Sequence, residues 1–364
     1  MQTAGKLEGI EALRGLAVLF TVFAHLPLTT SPFLGSVVQS PWHMGVTVFF
    51  AISGWIIACV TSSYSVEQVP EFFLKRFFRV VPVLIFTCAM AILFSIALPH
   101  TDLVNQFYPE TALILRASAA NLLFISDFAD ALGITTPYSL LGLWSISVEV
   151  KFYLVYSVIL FLPKSARTSS LVLLAVMALS LRWVGVSRGN AYAFSHVFFV
   201  EALLFGSIAF RFNLHGIVKS RMPPRALPGI ACALLLFIFL FPSFVCDGMH
   251  WLIGYVLTIG ACVCLVNISA AYTNSPGNLT VLRWLGARSY SLYVLHFQFL
   301  AVGGLVGQTL GLNFSSPRAY DFLLIIFLFL GLPVLEFVHK CIELPLVAYS
   351  KRISTQIGST AITA

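Results

Sequence analysis

The sequence predicts an all-α polytopic membrane protein with about ten transmembrane helices and both termini cytoplasmic, on three observations. Only 10% of the 364 residues are charged and 59% are apolar, against about 25% charged in a soluble domain. The chain therefore lacks the polar side chains to cover a water-exposed globule. Second, no Asp, Glu, Lys or Arg occurs from Gly15 to Val66, Val80 to Thr101, Ala226 to Cys246, Gly248 to Leu282 or Ser289 to Pro317. Several of these runs exceed the ~18 residues that carry a helix across a bilayer. Third, the basic residues gather in alternate connecting segments, as the positive-inside rule expects.

Taken in order, apolar runs between polar or Pro/Gly-rich breaks give spans at roughly 12–31, 43–62, 80–98, 140–162, 169–187, 192–211, 226–245, 250–272, 284–304 and 320–346. The first has no small-residue cleavage pattern and is followed by many others, so it reads as a retained span rather than a signal peptide. Ala112 to Ile125 is apolar but short and runs into Asp127 and Asp130. It is placed as an interfacial or re-entrant helix, since an eleventh span would reverse the orientation of everything after it. With ten spans, Lys6, Lys75, Arg76, Arg79, Lys164, Arg167, Arg211, Lys219, Arg221, Arg225, Arg283, Arg288, Lys351 and Arg352 share the cytoplasmic face. The other face receives little more than Arg116, Arg182, Arg188 and Arg318.

The net charge of +7 is thus used to orient spans, and no nucleic-acid partner is expected. No repeat or long linker is visible, which gives a single membrane domain over 1–352 and a short polar tail over 353–364. The seven cysteines sit mostly inside apolar runs, without spacing suited to zinc or a disulfide framework.

Ionisable groups inside spans are expensive and mark functional candidates. The first span, EALRGLAVLFTVFAHL, holds Arg14 and His25. On an unbroken helix they lie about 16 Å apart along the axis, a basic group near the membrane entrance and an imidazole deeper in. Imidazole suits proton acceptance from a hydroxyl near neutral pH; a core histidine bonded between helices is the plainer reading. In WHMGVTVFFAISGWIIA, Ser53 and Gly54 permit close backbone approach. In EFFLKRFFRVVP, Arg76 and Arg79 fall on one helical side. That pattern fits a phosphate contact and equally a topology anchor.

Glu149 in LGLWSISVEVKFYLVY lies among Trp144, Phe152, Tyr153 and Tyr156. A carboxylate there needs a partner or a proton: it orients a histidine, holds a sugar hydroxyl, or pairs with Lys151. Finally, RSYSLYVLHFQFL places Tyr293 and His296 three apart on one face. Glu336 and His339 repeat the spacing, with Glu343 four residues beyond. A matching second half-site for a metal is absent, so no metal is expected.

Six segments resemble the acyltransferase 3 family of multispanning membrane O-acyltransferases, in order along nearly the whole chain: EALRGLAVLFTVFAH, GVTVFFAISGWII, FLKRFFRVVP, LWSISVEVKFYL, SYSLYVLHFQ and IELPL. The resemblance implies transfer of an acyl group, usually acetyl from acetyl-CoA, to hydroxyls of carbohydrates, lipid-linked glycans or macrolides. It makes His25 the essential histidine and associates Arg14, Arg76 and Arg79 with the donor. Beside it, the residues themselves are read with Glu149 as a second catalytic group, orienting the base or binding the acceptor, and with Trp144, Tyr153, Tyr293 and His296 as substrate-binding. No permanently bound cofactor is implied; the partners are acyl-CoA, the acceptor and membrane lipid. A homo-oligomer is compatible with the sequence, and a bacterial cytoplasmic (inner) membrane is the expected location. The chain departs from the family pattern at Ile146, Val150 and Lys151, and Glu11 replaces a usual Asp. Glu149 is left as the retained acid. A transporter would suit the same number of spans, but its usual inverted repeat is not found.

Overall fold

The computed structural model describes residues 8–25, 42–188, 200–240, 248–271, 279–311 and 325–363. These residues form helices α1 (Glu8–Ala24), α2 (Trp42–Val60), α3 (Val69–Ala97), α4 (Asp102–Phe107), α5 (Thr111–Leu122), α6 (Trp144–Leu160) and α7 (Lys164–Ser187). They continue with α8 (Glu201–Arg211), α9 (Leu214–Arg221), α10 (Leu227–Leu240), α11 (Gly248–Ala271), α12 (Thr280–Thr309), α13 (Leu332–Val338) and α14 (Leu344–Thr363). The protein is an all-α, multi-pass membrane protein.

Among the described residues, five helical segments are long and apolar enough to cross a membrane: Val66–Ala97, Tyr138–Leu160, Lys164–Ser187, Leu252–Ala271 and Thr280–Thr309. They coincide with the spans expected at 80–98, 140–162, 169–187, 250–272 and 284–304. The first starts earlier than its apolar run. Pro70 occupies its opening turn, where the missing amide hydrogen costs nothing, so the basic FLKRFFR segment rides on the same continuous helix. Met44–Val60 and Leu227–Ile238 are apolar but shorter. The remaining expected spans enter the described residues as α1, α8 and the segment from 325 onward, with 26–31, 192–199, 241–245 and 320–324 lying outside them. The last is interrupted by two π-helical turns, Phe327–Gly331 and His339–Glu343. α5, with 12 residues, is about 18 Å long, well short of a ~30 Å hydrocarbon core. α14 carries helix through Thr363, so the polar end of the sequence is helical to that point.

The chain divides into two compact units, one made of residues 1–64 and 158–289, the other of 65–157 and 290–364. In the first unit α2 packs on α8 backbone to backbone. A Cβ on Gly54 would lie 1.9 Å from the Leu203 carbonyl oxygen, and one on Gly206 2.2 Å from that of Ala51. Only glycine allows this approach, and Ser207 Oγ uses it to donate to the Gly54 carbonyl at 2.8 Å. The packing role that Ser53 and Gly54 suggest in the sequence is thus realised at Gly54.

Two arginines buried in this unit, Arg182 and Arg167, are matched by partners from the fold. Arg182, counted by its place in the sequence with the non-cytoplasmic face, is 2% exposed. It donates to Glu201 through Nε (2.5 Å) and Nη2 (3.0 Å), with Tyr255 Oη donating to Glu201 at 3.1 Å. Its guanidinium carbon also sits 4.5 Å from the Tyr255 ring centroid. Arg167, 3% exposed, is likewise turned inward. It donates to the carbonyls of Leu160 (2.8 Å) and Leu162 (3.1 Å), at and just past the end of α6 where helix carbonyls lack partners, and to that of Tyr64 (3.2 Å).

In the second unit α3 packs against α5 and α14. Aromatic side chains fill it: Phe94 lies on Tyr108, and Tyr138 on both Phe107 and Phe297, with centroids 5.3–5.5 Å apart. The Tyr108 hydroxyl donates to Gln298 Oε1 at 2.9 Å, and Gln298 Nε2 donates to the Ser139 carbonyl at 3.1 Å. Burial pushes the Tyr108 phenol well above the usual tyrosine range, so it serves as a donor throughout the accessible pH range.

Candidate active site

In the second unit the structure brings together Arg76, Arg79, Glu149 and Tyr153. Arg76 and Arg79 sit one turn apart on α3, half-buried. The Arg76 guanidinium carbon lies 5.5 Å from the Phe72 ring centroid and 5.4 Å from that of Tyr153. Those two rings meet edge to face at 5.9 Å. The Tyr153 hydroxyl donates to Glu149 Oε1 at 2.7 Å, an i, i+4 bond along α6. Arg79 acts electrostatically on Tyr153, Tyr290 and Glu343. Among the described residues neither arginine has a carboxylate within ion-pairing distance. Two guanidinium groups held against an aromatic and acidic wall, with their forks not spent on an ion pair, are suited to phosphate oxygens.

A second cluster surrounds the start of α6. Tyr293 Oη and Ser145 Oγ are 2.5 Å apart, and Tyr293 Oη also lies 2.9 Å from the Gly142 carbonyl. His296, fully buried, places Nδ1 2.5 Å from the Tyr293 carbonyl and packs on Phe297 at 4.3 Å. Gly142 is required here: a Cβ would meet the Phe297 ring at 2.7 Å and His296 at 3.3 Å. Tyr293 and His296 are thus partners of the segment that opens α6, while Trp144, its first residue, is half-buried.

Arg14 and His25 belong to the first unit. α1 approaches the start of α12 closely: a Cβ on Gly15 would lie 2.0 Å from the Leu282 carbonyl oxygen, and one on Gly286 1.8 Å from that of Glu11. Arg283 Nη1 donates to Glu8 Oε2 at 2.6 Å across the same contact. Arg14 precedes Gly15 on α1 and is half-buried. His25 lies just past the last residue of α1, and its Nδ1 is 2.7 Å from the Thr21 carbonyl oxygen. A carbonyl only accepts, so Nδ1 carries the hydrogen and the neutral ring keeps its lone pair on Nε2. The fold sets the tautomer a base needs.

Other polar groups find partners that spacing along the chain does not reveal. Lys151 pairs with Asp127, not with Glu149, and its ammonium lies 4.1 Å from the Phe128 ring centroid. Glu343 is the centre of a buried network, accepting from Ser291 Oγ at 2.6 Å and lying 2.9 Å from His339 Nδ1. The i, i+4 spacing of His339 and Glu343 is visible in the sequence; Ser291, 52 residues away, is not. Glu336 bonds Lys340 at 2.8 Å. Among the described residues no group of three or more His, Cys, Asp or Glu side chains is placed to hold a metal ion.

The family described as "Acyltransferase domain" (acyltransferase 3) matches residues 7–336. The chain belongs to this acyltransferase family. It is 24% identical over 327 residues to the peptidoglycan O-acetyltransferase OatA of Listeria monocytogenes, covering 81% of this chain and 50% of that protein. To the O-acetyltransferase OatA of Staphylococcus aureus (strain NCTC 8325 / PS 47) it is 24% identical over 320 residues, again 81% and 50%. It is also 29% identical over 277 residues to the exopolysaccharide production protein ExoZ of Rhizobium meliloti, 74% of this chain and 80% of that protein. The chain spans about half the length of the two OatA relatives. No solved structure matches it.

Two segments of this acyltransferase domain carry the geometry above. Trp144 to Glu149 opens α6 and turns three polar side chains to different uses: Ser145 to Tyr293, Ser147 to Ser126 at 2.7 Å, and Glu149 to Tyr153. Phe73 to Pro82 lies on α3 and presents Arg76 and Arg79. The departures at Ile146 and Val150 leave this pattern intact, because neither position supplies one of those polar groups.

Proposed function

We propose that the protein is a membrane O-acyltransferase that moves an acyl group, chiefly acetyl from acetyl-CoA, to a hydroxyl of a carbohydrate or glycan acceptor. The observation that carries this reading is the pair of half-buried arginines, Arg76 and Arg79, whose forks are not engaged by carboxylates among the described residues, within a chain of the acyltransferase family. The names of the relatives, a peptidoglycan O-acetyltransferase and an exopolysaccharide production protein, favour a polymeric or lipid-linked glycan acceptor.

Arg76 and Arg79 hold phosphates of coenzyme A, and Arg14 is a further donor contact. His25 Nε2 takes the proton from the acceptor hydroxyl as its oxygen attacks the thioester carbonyl. The new C–O bond forms, the C–S bond breaks, and the imidazolium returns the proton to the leaving thiolate, so the products are the acyl ester and free coenzyme A. Glu149 keeps Tyr153 in place beside the arginines, and Trp144, Tyr153, Tyr293 and His296 contribute to the acceptor side. The domain covers 1–352, crosses the membrane about ten times with both termini cytoplasmic, and resides in a bacterial cytoplasmic membrane. The gathering of basic residues in alternate connecting segments supports this orientation.

The test is transfer by purified protein in lipid nanodiscs, with labelled acetyl-CoA and glycan acceptors. Acceptor-dependent release of free coenzyme A together with label in the glycan is expected. Label that never reaches any acceptor, with the thioester intact, would overturn the assignment.

A further inference from the structure

The turn joining α8 to α9 surrounds buried nitrogen atoms that no described residue satisfies. Trp55, 2% exposed, lies edge-on to Phe210 at 5.1 Å and to His215 at 5.3 Å, and the Phe210 and His215 rings stack at 5.6 Å with 4° between their planes. Trp55 Nε1, Arg211 Nε, Arg211 Nη2 and His215 Nδ1 are all buried and find no hydrogen-bond partner among the described residues. The first three are obligate donors. A buried donor left unmade is costly, most of all on a charged group. This set is therefore suited to an acceptor-rich group beyond the described residues, and the fixed positive charge of Arg211 favours an anion.

The surroundings select the kind of anion. Asn213, in the left-handed conformation at φ 51°, redirects the chain from α8 into α9, a helix of eight residues. On and beside α9, Phe212, Leu214, Ile217 and Met222 are 38–56% exposed. Lys219, Arg221 and Arg225 are exposed with them. Exposed apolar side chains interleaved with lysine and arginine, on a short helix that leads towards the apolar α10, are the pattern of a helix lying in the lipid headgroup layer. A soluble anion would need no such apolar rim.

We propose that this turn is a binding site for one anionic phospholipid. Its phosphodiester accepts hydrogen bonds from Arg211 and Trp55, its chains run along the exposed apolar residues of α9, and Lys219, Arg221 and Arg225 add attraction to the anionic surface. The site lies wholly within the first unit and does not depend on the acyl-transfer reading.

Native mass spectrometry and thermal unfolding of the full chain test this, with phosphatidylglycerol, phosphatidylcholine or inorganic phosphate added to delipidated protein. The wild type is expected to keep one phosphatidylglycerol and to be stabilised by it well above phosphatidylcholine or phosphate. Arg211→Gln should weaken that lipid's binding about tenfold or more, and Trp55→Phe, which keeps an aromatic ring, by a few-fold. Lys164→Gln, an exposed charge elsewhere in the first unit, should change it less than about twofold. Equal retention of phosphatidylcholine by the wild type would overturn the proposal, and so would full stabilisation by inorganic phosphate, which would mark a pocket for free anions. Unchanged phosphatidylglycerol binding in a folded Arg211→Gln protein would overturn it as well. The wild-type comparison decides even where a variant fails to fold.

Discussion

Two pairs of arginines, Arg182 and Arg167 in the first unit and Arg76 and Arg79 in the second, are handled in opposite ways. In the first, Arg182 is closed into an ion pair with Glu201 under Tyr255, and Arg167 is spent on carbonyls at the end of α6. In the second, Arg76 and Arg79 are held beside Phe72, Tyr153 and Glu343 but make no ion pair among the described residues. A basic residue in a membrane protein is expensive in either setting. Where its partners come from the fold, it is structural; where the fold holds it in place and leaves the fork open, a ligand has something to bind. Burial alone would rank Arg182 above Arg76, yet the pairing pattern reverses the functional order.

Substitutions break or sharpen that contrast, from the largest effect to the smallest. His25→Ala removes the proposed base and should lower acyl transfer about 10²- to 10⁴-fold at unchanged membrane yield. Turnover within a few-fold of wild type would remove His25 from the chemistry. Arg182→Ala leaves Glu201 buried without its cation, a loss of about 3–5 kcal/mol, and should appear as a lower unfolding temperature and yield. Replacing both partners with leucine should recover much of that loss, and activity per folded molecule should stay near normal. Arg76→Ala or Arg79→Ala should do the reverse, raising KM for acetyl-CoA with little change in stability. Removing one charge-assisted hydrogen bond to the donor corresponds to about 1.5–3 kcal/mol. Tyr153→Phe removes one bond to Glu149 and should cost about 0.5–1.5 kcal/mol, visible as a modest rise in KM for the glycan acceptor.

Much of this is legible in the sequence, and what is not has a physical reason. Long uncharged runs announce helices because lipid leaves the backbone no other partner, so α3, α6, α7, α11 and α12 are readable. Gly54 signals close packing without naming Leu203 as its neighbour. The Glu149 to Tyr153 bond lies within about one helical turn and is within reach of spacing rules. The Arg182 to Glu201 pair joins different helices, so reading each span alone does not find it. Lys151 likewise takes Asp127 from a loop rather than the acid two residues before it. The π turn at His339–Glu343 is invisible to a 3.6-residue period, and the noncontiguous make-up of the two units is a property of packing, not of chain order.

If the two arginines left open on α3 hold the acyl donor, coenzyme A must bind more weakly when both are removed. Calorimetric titration of coenzyme A into wild type and the Arg76→Ala, Arg79→Ala double variant tests this most directly, with the unfolding temperature of each recorded alongside. The predicted result is binding weakened by at least about tenfold while the unfolding temperature shifts by no more than about 4 °C. Undiminished coenzyme A affinity in a folded double variant would contradict it.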